Sequence, residues 1–155
     1  MRRYQFINYS EGVNNLDLNY MHPSLLLLLA HINLFCLEND LEFKITSIFR
    51  SAERDKQLGA VSKTHQEGRA IDVSIYGWDD EVVDFLEAQI NDLVEIEHLE
   101  NGAPNPFYQI GAISSKDFKQ RAIVVHNNHD GPGGHAHIQV RGGGDWAKKT
   151  HRLRS

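Results

Sequence analysis

Five consecutive leucines, Leu25 to Leu29, stand inside the run Ser24–Ala30 and require a place away from water. Such a run resembles an export signal or a membrane segment, and neither fits. It begins late, after Glu11 and Asp17, without the short positive region that opens an export signal. His31 and Asn33 interrupt it, so it falls short of the ~18 apolar residues that a membrane span needs. The remaining destination is the core of a globular fold. Pro23 and Ser24 suit a helix start, and Glu38-Asn39-Asp40 suits its end. The run is therefore expected to be a core helix. With no export signal and no membrane span, the chain is expected to begin in a cytoplasm.

The rest of the chain divides by periodicity. Leu41–Phe49 is rich in Phe, Ile and Thr and predicts a strand. Ser51 is placed to cap a short helix through Leu58, followed by a loop over 59–67. Ala70–Ile75 alternates as a strand does. Val82, Val83, Leu86, Ile90 and Leu93 follow helical spacing behind Asp79 and Asp80. Phe107–Ile113, Ala122–His126 and His135–Arg141 predict three further strands, with a turn at 131–134. Helices and strands do not alternate cleanly, and the last strands follow one another like hairpins. The fold class expected is α+β, with an antiparallel sheet and flanking helices. At 155 residues, 41% hydrophobic and 24% charged, the chain suits a single domain over 1–155 with one core. Residues 1–20 are expected to form an arm or short elements, and 142–155 a loose basic tail.

Charge and cysteine content exclude two classes. A net charge of −5 argues against a nucleic-acid partner, which needs an excess of Lys and Arg. Arg141, Lys148, Lys149, Arg152 and Arg154 gather at the end and fit a solvated tail. Cys36 is the single cysteine, so no internal disulfide forms. Its apolar context predicts a buried, inert thiol.

Two histidine groups carry the chemistry. His135 and His137 are two apart in a strand, so both imidazoles point to one face. Two neutral imidazoles on one face are what a metal site uses. Upstream, His65 ends a loop and Asp72 lies in the next strand, with Gly68 and Ala70 between them. Glycine there lets the backbone turn sharply. Asp72 interrupts an otherwise apolar strand, a costly position for a carboxylate unless it is paired or metal-bound.

The pattern His65-x-x-Gly68-x-Ala70-x-Asp72, followed far downstream by His135-x-His137, resembles the zinc peptidases that cut D-Ala-D-Ala and related peptidoglycan bonds. That group includes L-alanyl-D-glutamate endolysins, a murein endopeptidase group and the Hedgehog signalling domain. Ser47-Ile-Phe-Arg50 is similar to the group's Ser-x-x-Arg strand end. The resemblance spans about residues 24–141 and implies a Hedgehog/DD-peptidase-like fold. It implies Zn2+ held by His65, Asp72 and His137, with a fourth position for water. It makes Arg50 a catalytic or substrate-binding cation, His135 an auxiliary acid or base, and a peptidoglycan peptide the substrate. A lytic or virion-associated phage enzyme would suit the size of the chain.

Two positions depart from the group's pattern. The carboxylate base usually found three residues before the third ligand is Gly134 here. Were His135 the ligand, that position would be Pro132. His129 and Asp130, on the loop before the strand, are the nearest substitutes; the murein endopeptidase type carries an extra His in that region. The serine usual two residues before the first ligand is Lys63, flanked by Ser62 and Thr64. Ser62 and Lys63 are expected to contact substrate. The missing base leaves open a zinc-binding module without activity, or a protein that binds cell wall without cutting it. His135-Ala-His137-Ile also resembles a nuclease motif, but those enzymes need a tyrosine after it and no Tyr follows His137.

Overall fold

The computed structural model describes residues 7–59, 63–113, 119–126 and 134–142. In chain order the elements are strand β1 (Ile7–Tyr9), a 3-10 helix (Asn15–Tyr20), helix α1 (Pro23–Glu38), strand β2 (Phe43–Ser47), helix α2 (Ala52–Leu58) and strand β3 (Ala70–Ser74). Helix α3 (Asp80–Leu93) follows, then strands β4 (Ala112–Ile113), β5 (Gln120–Arg121), β6 (Ile123–His126) and β7 (His135–Gln139). The helices begin where their capping residues predict. Ser51 Oγ accepts from the Arg54 N–H, and His22 Nδ1 accepts from the Ser24 N–H ahead of Pro23.

Five strands form one sheet in the order β1-β2-β3-β7-β6. The expected α+β class stands, and the expected antiparallel sheet needs correction at one edge. β1 pairs with β2 in parallel, Ile7 opposite Phe43. The chain returns from β1 to β2 through α1, and a crossover of that length delivers a strand running the same way. The other pairings are antiparallel. The predicted strand over 107–113 is likewise corrected: only Ala112–Ile113 is extended, paired with β5. Residues 107–110 turn instead, with Gln109 at φ 58°. The buried Asn105 imposes this by bonding the Leu93 and Ile96 carbonyls and the Phe107 N–H.

Period-two alternation gives the sheet two unlike faces. Phe43, Ile45, Ile71, Val73, Ile123, Ala136 and Ile138 pack with Leu25, Leu28 and Ile32 of α1 and Val83, Leu86 and Ile90 of α3 in one core. The opposite face carries Asp72, Ser74, His135, His137 and Gln139. The leucine run supplies both core and surface: Leu25, Leu28 and Leu29 are buried, Leu26 and Leu27 exposed. Consecutive helical residues point about 100° apart, so five in a row cannot all face the core. Among the described residues no helix is long and apolar enough to cross a membrane.

Candidate metal centre

Strand pairing brings the two histidine motifs together. β3 and β7 are neighbours with Asp72 directly opposite His137, so one cross-strand pair joins residues 65 apart in sequence. His65 arrives from a turn over 64–68 that Gly68 ends at φ 69°, in the left-handed region that glycine tolerates. The Arg69 N–H closes that turn on the Thr64 carbonyl at 2.9 Å. On the other side of β3, the register with β2 shifts between Ile45 and Ser47, a bulge beside Asp72. Ile48 and Arg50 follow directly from it.

The three candidate ligand atoms form a near-equilateral triangle. His137 Nδ1 lies 3.1 Å from Asp72 Oδ1, His65 Nε2 lies 3.3 Å from the same oxygen, and the two nitrogens are 3.3 Å apart. Ligands bound tetrahedrally at about 2.0–2.1 Å are separated by about 3.3 Å, so the triangle has the size of one face of such a site. His65 and Asp72 are buried and His137 half-buried, and the three could hold a metal ion.

The outer ring nitrogens fix which inner atoms are bare. His65 Nδ1 donates to the Ile48 carbonyl oxygen at 2.8 Å, which leaves Nε2 as a lone pair facing inward. Gln139 Nε2 donates to the Arg121 carbonyl at 3.2 Å, so Gln139 presents its Oε1 to His137. His137 Nε2 donates to that oxygen at 3.1 Å and turns Nδ1 inward as a lone pair. With the outer nitrogens so engaged, both imidazoles and the carboxylate can aim acceptors at one point, an arrangement that suits a cation. Burial raises the Asp72 carboxyl, but hydrogen bonds from His137 and His65, and their charge, outweigh it and hold it well below the usual carboxylate range. Without a metal those bonds require a proton on an inward nitrogen, and a metal ion takes that proton's place.

The triad opens onto a cleft of about 920 Å³. Arg50, His135 and His126 line it as well. Arg50 is half-buried, with Nη2 3.6 Å from Asp72 Oδ2 and Nε 3.4 Å from Asp55 Oδ1. His135 shares the face of His137, as its spacing implies, and stands outside the ligand triangle. His126 is its cross-strand partner, with ring centroids 5.2 Å from His135 and 5.9 Å from His137. Burial first, then the charges of His135 and His137, push the His126 imidazole below its ordinary pKa.

Five of the residues singled out in the sequence therefore meet in one cleft: Arg50, His65, Asp72, His135 and His137. Lys63 is exposed and does not line it; Arg54, from α2, does. Ser62, His129 and Asp130 lie outside the described residues. Gly134 is buried and offers no side chain in place of the missing carboxylate. Sequence reasoning missed Gln139, although it continues the two-residue spacing of His135 and His137. It also missed Asp55, which no local pattern marks. Comparison of the chain with protein-family models, with curated proteins and with solved structures finds no match.

Proposed function

We propose that the chain is a zinc peptidase with a Hedgehog/DD-peptidase-like fold that hydrolyses peptide bonds of peptidoglycan. One observation carries the reading: His65 Nε2, His137 Nδ1 and Asp72 Oδ1 converge at 3.1–3.3 Å with both imidazole tautomers set for metal. Nitrogen and oxygen ligands in a tetrahedral arrangement suit zinc, and three protein ligands are the set of a catalytic site. Zinc held there supplies a Lewis acid that acidifies water and polarises a carbonyl. The resemblance of His65–Asp72, His135-x-His137 and Ser47–Arg50 to the peptidoglycan-cutting group supplies the substrate class.

In this reading the side chains divide the work. Arg50 donates to the oxygen that gains charge as the peptide carbonyl is attacked. His135, with His126 across the strand, holds and moves the proton that a carboxylate handles in most of the group. His129 remains an auxiliary group outside the described residues. Arg54 replaces Lys63 as the second cation along the wall. The second reading is a zinc-binding module without turnover. It is favoured by Gly134 and by the cleft lining, in which Asp72 is the only carboxylate among the described residues.

Elemental analysis of wild type beside His137→Ala tests the metal, and digestion of purified sacculi tests the chemistry. About one zinc per chain, lost in the variant, with release of soluble muropeptides, is the expected result. Zinc without muropeptide release selects the non-catalytic reading. No metal in either protein after zinc is supplied defeats both.

A further inference from the structure

Asp55 is the one buried residue of α2, a helix of 7 residues that is otherwise exposed. A carboxylate in that position costs free energy unless it is paired. Its Oδ2 accepts from Gln66 Nε2 at 2.8 Å, and Gln66 directly follows His65. Its Oδ1 faces Arg50 Nε at 3.4 Å, and neither of those two buried atoms has a hydrogen-bond partner elsewhere among the described residues. The far end of the same guanidinium lies 3.6 Å from Asp72 Oδ2. Arg50 therefore stands between two carboxylates, one in the ligand triangle and one behind it.

We infer that Asp55 is a positioning residue of the metal centre. It holds and neutralises Arg50, so that the guanidinium stays beside Asp72 without competing with a metal ion for that carboxylate. A cation paired only with a metal-ligating carboxylate draws its electrons away and repels a second cation. The Asp55 charge offsets that cation and anchors it from behind. The bond to Gln66 ties the same carboxylate to the turn that delivers His65. The inference rests on the metal assignment made above and is independent of whether the site cuts peptides.

The test is a double-mutant cycle on zinc affinity, read by chelator competition on the full chain. The proteins are wild type, Asp55→Asn, Arg50→Gln and the double variant. Asparagine keeps the shape and an oxygen for Gln66 but removes the charge. Asp55→Asn is expected to weaken zinc about 10-fold or more, the range seen for groups that support metal ligands. The double variant is expected to bind zinc within about twofold of Arg50→Gln alone, because the two changes act through one interaction. Wild-type affinity in Asp55→Asn overturns the inference. So does a loss that persists without Arg50, since a merely structural role for Asp55 would survive that removal. A wild-type chain that takes up no zinc overturns the metal assignment itself and this inference with it. Should Asp55→Asn fail to fold, the arginine Nε–H spectrum of 15N-labelled wild type decides. A slowly exchanging Arg50 signal that stays in place when zinc is added supports the clamp; a fast-exchanging one overturns it.

Discussion

Gln139 sets the chemistry of His137 without approaching the ligand triangle. Its amide is oriented by the Arg121 carbonyl, and its oxygen then dictates which ring nitrogen of His137 carries the proton. Replacing it with leucine keeps bulk and removes the acceptor. Gln139→Leu is expected to weaken zinc binding by about 10- to 100-fold, read by chelator competition. Gln139→Glu, which still accepts, is expected to lose much less. Equal losses in the two would separate the effect from tautomer control. Cys36 shows a residue that its context describes fully. It is buried in α1, and burial pushes its thiol up to about 12, so it is inert as its apolar neighbours imply.

At the scale of the element, α1 depends on an unusual cap. His22 Nδ1 accepts from the Ser24 N–H at 3.1 Å, which only the neutral ring can do. Burial first, and the charge of Arg69 second, lower the His22 pKa. The unfolded chain then takes up a proton more readily than the native protein does. The cap's contribution is fully present above the unfolded value of about 6.5 and fades as pH falls through it toward the folded value. His22→Ala is expected to cost about 1 kcal/mol at pH 7.5. His22→Asn keeps an acceptor that does not titrate, so thermal melts at pH 7.5 and pH 5, with chelator present, should show a smaller drop than wild type. An unchanged drop would remove His22 from the acid response. The Ser51 cap of α2 and the bulge beside Asp72 flank the segment from which the Ile48 carbonyl meets His65 and Arg50 meets Asp72.

Across the whole molecule, the centre exists only while the sheet does. His65 and His137 are 72 residues apart, and no local element holds both. A metal ion that binds this arrangement and not the unfolded chain stabilises the native state by mass action. Zinc at a hundred times its Kd should add about 2.7 kcal/mol, or roughly 5–10 °C in midpoint for a chain of this size. Calorimetry with and without zinc checks this. His65→Ala and Asp72→Ala should each abolish the shift; a shift of wild-type size in either would place the metal elsewhere.

Local signals determined a good part of this protein. Caps and apolar spacing place α1, α2 and α3 close to where they form, because a helix start is decided by neighbours in sequence. Period-two spacing puts His135 and His137 on one face, and an isolated carboxylate in an apolar strand marks Asp72. Tertiary structure decided the rest. The parallel pairing of β1, the short β4 in place of a longer strand, and the meeting of Asp72 with His137 depend on which strands become neighbours. So do the partners that tune the site: the Ile48 carbonyl for His65, Gln139 with Arg121 for His137, and Asp55 behind Arg50. A hydrogen bond or ion pair between distant residues is a property of the packed chain. Sequence spacing records which atoms can bond, and only the closed sheet brings them within reach.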